Sequence, residues 1–144
     1  MLVHQILAEK PSQTVLTIAQ DATIADAAAI LSERRIGCLV VSADGRRVEG
    51  ILSERDIVRE VGRQGATCLG QPVASIMTRK ITSCSREDTA DRLMELMTEG
   101  RFRHLPVLED GGLVGLVSIG DVVKARISQL AMEHSAMQEM IMGH

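Results

Sequence analysis

Two seven-residue segments carry the side chains best suited to chemistry. Gly50-Ile51-Leu52-Ser53-Glu54-Arg55-Asp56 and Gly115-Leu116-Val117-Ser118-Ile119-Gly120-Asp121 share the pattern Gly-h-h-Ser-x-x-Asp, with h apolar, and stand 65 residues apart. Each ends a hairpin and starts a helix. A helix start offers unpaired backbone amides and the positive end of a dipole, and an Asp one turn in can accept from two vicinal hydroxyls, as on a ribose. The same Ser-x-x-Asp spacing satisfies a capping box, in which Ser and the acidic residue reciprocally close the first turn. Residue types leave both readings open. Arg55 and Arg59 follow one turn apart, and cations there oppose the dipole unless an anion lies close. A phosphate would relieve that conflict, and so would Glu54 or Glu60.

The segments that must position these motifs are themselves duplicated. Thr23–Glu33 aligns with Thr89–Glu99 at an offset of 66 residues, Ile36 with Phe102, and Cys38-Leu39-Val40-Val41 with His104-Leu105-Pro106-Val107. Two copies imply two similar lobes facing each other, since an open solenoid needs three or more units. Ile24, Ala27, Ala28, Leu31 and Ile36 recur at helical spacing and predict an amphipathic helix over 24–35 capped by Thr23. Ala90, Leu93, Met94, Leu96 and Met97 give the same stripe, with Asp88 or Thr89 as cap and Gly100 as a left-handed stop. Methionines at this spacing read as core.

Hairpins are predicted next. Leu39–Val41, a turn at Asp44–Arg47 and Val48–Leu52 make the first; Leu105–Leu108, a turn at Glu109–Gly112 and Leu113–Val117 make the second. With Val15–Ile18 and Ile81–Cys84 as leading strands, and helices after Ser53 and Ser118, each copy reads β-α-β-β-α. Gly62–Pro72 reads as a surface loop and Val73–Thr78 as a short helical lead-in. The expected fold class is α/β, of the α+β kind: two pseudo-symmetric repeats packed as one module. Repeat 1 with its lead-in is placed over 1–70, repeat 2 over 71–128 and a helical extension over 129–144.

Composition excludes several function classes. A chain of 144 residues, 45% hydrophobic and 24% charged, is ordinary for one globular module. No apolar stretch nears the roughly 20 residues that span a bilayer, and the opening residues lack a basic segment followed by an apolar core. The expected compartment is the cytoplasm, with no membrane partner. A net charge of −3 opposes a nucleic-acid binder, and Phe102, the only aromatic residue, cannot supply several stacking platforms. A base bound here has to lie between aliphatic side chains. Cys38, Cys68 and Cys84 contain no C-x-x-C pair, so reduced buried thiols are expected rather than a disulfide framework or a metal site. There is no G-x-S-x-G, H-E-x-x-H or Walker segment, and His104 with Cys84 or Cys38 lacks a reactive-cysteine frame. No enzyme activity is expected.

Taken in order, Ser75-Ile76-Met77-Thr78, the helices at Thr23 and Thr89, the strand Arg103-His104-Leu105-Pro106-Val107 and both Gly-h-h-Ser-x-x-Asp segments resemble a tandem pair of CBS domains, a Bateman module, over residues 3 to 128. The resemblance implies an adenine nucleotide (AMP, ADP, ATP or NAD(H)) or S-adenosylmethionine bound in clefts between the paired repeats, and regulation rather than catalysis. It implies that Asp56 and Asp121 hold ribose hydroxyls with Ser53 and Ser118 beside them, and that Thr17 and Ser83 contact the sugar or phosphate. Residues just before the strand at Leu105 face phosphates in such modules; here they are Arg103 and His104, while Gly37 and Cys38 stand in the first copy without charge. The second cleft is therefore expected to favour a charged phosphate. Arg103 also reads as a solvated charge, His104 as a satisfied half-buried histidine, and Arg55 as a candidate phosphate contact.

Ile127, Leu130, Ala131, His134, Met137, Met140 and Ile141 place an apolar stripe on the tail that ends at His144. It could fold back on the chain, but the resemblance implies a homodimer with the tail in the interface. The expected function is a stand-alone regulatory module that passes nucleotide binding to a partner protein. The alternative is an interaction and oligomerisation scaffold whose Ser-x-x-Asp motifs only cap helices.

Overall fold

An apolar run without polar interruption, Cys38-Leu39-Val40-Val41, suits a strand covered on both faces, and in the computed structural model it is the middle strand of a three-stranded sheet. β1 (Thr17–Ile18) lies parallel to β2 (Cys38–Val41), and β3 (Gly50–Ser53) runs antiparallel along its other edge. The structure describes residues 1–11 and 14–143, which group into two units. One takes in Thr14–Thr82 and Leu108–Val114; the other holds the described residues of Met1–Gln13, Ser83–Val107 and Gly115–His144.

In the first of these units α2 (Ile24–Arg34) and α3 (Glu54–Gln64) flank the sheet. Ile18, Leu39, Val41 and Leu52 share one sheet face by register and join Ile24, Ala27, Leu31, Ile57, Val73 and Met77 in a single core. Thr23 caps α2 as expected: its hydroxyl accepts from the Asp26 amide and Asp26 accepts in return from the Thr23 amide, both at 3.1 Å. Beyond α3 the expected surface loop over Gly62–Pro72 is a correction. The helix continues to Gln64 and a 3-10 turn follows over Ala66–Gly70, because Cys68 is drawn fully into the interior. The lead-in after it is a 3-10 turn at Val73–Ser75, then a bridge in which Thr78 and Ile51 exchange both backbone hydrogen bonds, at 2.8 and 2.9 Å.

The other unit holds α1 (Val3–Glu9), α4 (Ala90–Gly100), most of the hairpin β4 (His104–Glu109) and β5 (Gly112–Ser118), and α5 (Ile119–Ile141). Thr89 rather than Asp88 caps α4, accepting from the Arg92 amide at 3.1 Å. The left-handed stop is Arg101 (φ 56°), not Gly100, the last helical residue. Gly100 is small for another reason: a Cβ there would lie within the Phe102 ring. The hairpin turns on Asp110 (φ 52°) and Gly111 (φ 76°), the positive-φ pair of a tight two-residue turn, so its strands reach further than expected.

The second leading strand, expected over Ile81–Cys84, shrinks to one parallel bridge between Cys84 and Val107. The cause is a single residue. The Val40 N–H donates across to Leu16 O, whereas the aligned residue of β4 is Pro106, which has no N–H to donate.

Two lead-ins, 70 residues apart from Val3 to Val73, repeat one arrangement. Leu2 bridges to Thr89 and Pro72 to Thr23, so each lead-in pairs with the residue that caps a helix. Each also explains a motif glycine. A Cβ at Gly50 would come within 2.7 Å of Met77 Sδ, and one at Gly115 within 2.9 Å of Leu7 Cδ1. A side chain at either position would force the lead-in side chain to shift.

α5 joins the last helix of the second repeat to the tail without a break. The tail does not fold back among the described residues: Ile127, Leu130, Met137, Met140 and Ile141 are all exposed, Ile141 at 82%. His144 lies outside the described residues. No described helix is long and apolar enough to cross a membrane.

Candidate functional site

Strand pairing decides which candidate residues meet. Thr17 stands opposite Val40, and Cys38 opposite Ser53, so Thr17, Cys38 and Ser53 point to the sheet face away from Leu39 and Leu52. Gly37 joins them through its carbonyl, which accepts from the Glu54 amide at 2.9 Å at the start of α3. Asp56, one turn in, is buried and completes the cluster. Its Oδ2 accepts from the Ser53 amide at 2.9 Å and the Ser53 hydroxyl at 3.2 Å, and Oδ1 accepts from Arg59 Nη2 at 2.9 Å. Arg59 thus finds its carboxylate one turn earlier on its own helix. Glu60 serves Arg63 and Gln64 instead, and Arg55 is exposed.

The other unit repeats this junction with one difference. Arg103 O accepts from the Ile119 amide at 2.8 Å, as Gly37 O does from Glu54. That bond places Arg103, which is exposed, beside the start of α5, with half-buried His104 beginning β4. Ser83, also exposed, precedes the bridge at Cys84. Ser118 Oγ accepts from the Asp121 amide at 3.1 Å, and Asp121 Oδ2 accepts from the Ser118 amide at 2.9 Å. Here the counter-cation comes from outside the helix. Lys10 Nζ, just past α1, donates to Asp121 Oδ2 at 3.0 Å and to Leu116 O at 2.8 Å. Asp121 Oδ1 has no hydrogen bond among the described residues.

Electrostatics set the charge states. Burial works against the ionised Asp121, yet the Ser118 amide and the Lys10 ammonium outweigh it and hold the carboxyl below its ordinary range. Burial pushes the Cys38 thiol up to about 12, with the Asp56 charge adding to the rise. Cys84 is likewise pushed up to about 12, by burial and then by Asp88. Raised thiols of this kind are held as the neutral, weakly nucleophilic form near neutral pH.

Both thiols are expected to resist iodoacetamide in the native protein and to react in denaturant. A thiol raised on folding stabilises the fold fully below its unfolded value and loses that contribution as pH climbs towards the folded one. The urea midpoint is therefore expected to fall between the ordinary thiol value of 9.0 and about 12. An unchanged midpoint through that window contradicts the burial account.

Lys10 and the role of Arg59 escaped the motif reading. The readable signal is the second offset: Val3, Ile6, Leu7 and Lys10 align with Val73, Ile76, Met77 and Lys80. Among the described residues no group of three or more His, Cys, Asp or Glu could hold a metal.

Known proteins share the fold. The family model described as CBS domain matches residues 3–63 and again 73–128. The mitochondrial CBS domain-containing protein CBSX3 of Arabidopsis thaliana is 37% identical over 127 residues, which span 85% of this chain and 62% of that protein's length. The crystal structure of the CBS-domain containing protein ATU1752 from Agrobacterium tumefaciens is 48% identical, covers 88% of this chain and 99% of its own, and superposes with a TM-score of 0.83. The CBS domain pair of protein MJ0100, solved with 5′-methylthioadenosine and S-adenosyl-L-methionine, shares the fold at 23% identity and a TM-score of 0.78, over 90% of this chain and 98% of its own. Two matched segments over most of the sequence, each carrying one Ser-x-x-Asp junction, establish that the chain belongs to the CBS domain family and contains two such domains.

Proposed function

We propose that this chain is a ligand-sensing regulatory module, not an enzyme, that binds an adenine nucleotide (AMP, ADP, ATP or NAD(H)) at its Ser-x-x-Asp motifs and passes the event to a partner protein. The observation that carries the reading is Asp121: an ionised, half-buried carboxylate with one oxygen unengaged at a helix start. Such a group suits the vicinal diol of a ribose, the sugar present in both MJ0100 ligands. Arg103 beside it and His104 on β4 supply cationic and donor groups for a phosphate, and Gly37 and Cys38 do not. The α5 motif is the stronger site for a charged ligand. The exposed apolar stripe of α5 supports a homodimer as the assembled form.

A second reading, an interaction scaffold, draws on Asp56, both of whose oxygens are already bonded within α3 and its cap. Calorimetric titration of ligand-free protein with AMP, ATP and NADH separates the two. Heat from at least one nucleotide, with a matching mass on the native protein, is the expected result. Silence from all three at millimolar concentration leaves the scaffold.

A further inference from the structure

We infer that Lys10 is an internal competitor for the diol ligand of Asp121, and that its displacement loosens the end of α1. The inference rests on the ribose reading above. Lys10 is the residue that closes α1, its amide donating to Leu7 O at 3.2 Å. Its ammonium spans two groups of the α5 junction, Leu116 O at 2.8 Å and Asp121 Oδ2 at 3.0 Å, and both side chains of the pair are largely withdrawn from water, at 28% and 23% exposure.

A carboxylate oxygen has two lone pairs. Oδ2 fills both, one with the Ser118 amide and one with Lys10, while Oδ1 has no hydrogen bond among the described residues. A vicinal diol that sets one hydroxyl on each oxygen needs a place on Oδ2. The Ser118 amide is fixed in the backbone between β5 and α5, so the ammonium on its flexible stem is the group that yields.

The remaining hydrogen bonds of α1 to other segments lie at its other end. Leu2 bridges Thr89, the Val3 amide donates to Asp88 O at 2.9 Å, and the Met1 amine reaches Gln129 Oε1 at 3.2 Å. Losing the Lys10 bond therefore leaves the last turn of α1 held by the packing of Leu7 against Gly115, without a hydrogen bond to another segment, so it loosens while the helix stays attached. The second motif has no such device. Lys80, aligned with Lys10, is exposed, and Asp56 takes Arg59 from its own helix, so a ligand there would displace only a side chain of α3. The α5 motif alone converts an incoming diol into movement of a separate segment.

Adenosine is the probe, because it carries the diol without a phosphate that Lys10 could attract. Lys10→Met is expected to bind adenosine about fivefold more tightly than wild type, with no gain for 2′-deoxyadenosine, which lacks the diol. Amide exchange in the last turn of α1 is expected to rise when adenosine binds wild type, and to be raised in Lys10→Met before any ligand is added. Equal, weaker or absent adenosine binding by the variant overturns the inference, as does an equal gain for the deoxynucleoside. Should Lys10→Met lower the unfolding midpoint, Lys10→Gln carries the same comparison. The AMP titration of wild type stands apart: if AMP binds and Lys10→Met shows no gain, only the competitor role falls.

Discussion

Asp121→Ala is expected to weaken nucleotide binding at the α5 motif on the order of 100-fold, the loss of two charge-assisted hydrogen bonds at roughly 1.5 kcal/mol each. The same substitution removes the carboxylate half of a capping box, a stability cost of about 1 kcal/mol. Binding and stability thus respond on different scales. Asp121→Asn retains an acceptor for the Ser118 amide while losing the charge, so it is expected to recover most of the stability and little of the affinity. Titration calorimetry and urea unfolding of both variants read the two effects; affinity unchanged in Asp121→Ala removes the diol assignment. Acid gives an independent check. A carboxyl held below its ordinary range stabilises the fold above its unfolded value, and that contribution drains away as pH falls through the folded value. The acid limb of the stability profile is expected to flatten in Asp121→Ala.

Leu39→Ala is expected to cost about 2–5 kcal/mol, the range for emptying a fully buried leucine site whose walls relax only in part. Leu39 is fully enclosed on the middle strand and stands opposite Leu52, with Ile24, Ala27 and Leu31 in the same core. Strands on both sides hold β2 in place, so the wall cannot collapse into the space. A drop in the urea midpoint with unchanged slope is the expected signature. Because Cys38 and Val40 flank this residue on the opposite face, the loss bears on the sheet that carries Thr17, Cys38 and Ser53. A variant with wild-type stability contradicts the packing described for β2.

What the sequence made legible was local. Thr23, Thr89, Ser53 and Ser118 all cap the helices they precede, because a cap needs only its own first turn. The paired hairpins followed from apolar runs separated by Asp and Gly. The illegible parts depend on distant chain. Gly50, Gly100 and Gly115 look like turn or motif glycines, but Met77, Phe102 and Leu7 respectively claim the space of their missing Cβ. Pro106 fits a strand pattern, but its effect falls on the neighbouring segment, which loses its ladder. Lys10 and Asp121 stand 111 residues apart, so no window over the motif contains its counter-cation.

The placement of α1 has a further consequence, for how the molecule is made. Met1 O accepts from the Ala90 amide and Leu7 packs against Gly115, so α1 belongs with chain far along the sequence. Contacts of such sequence separation form late and slowly. On the ribosome, the Thr14–Thr82 portion can assemble its sheet and helices while α1 waits with Val3, Ile6 and Leu7 uncovered. A fragment starting at Ser83 would emerge with the α5 motif intact in sequence, yet without the leucine that fits Gly115 or the lysine that answers Asp121. The described residues of Met1–Gln13 group with the unit of the second repeat and Leu108–Val114 with that of the first, so neither unit is one unbroken stretch of sequence.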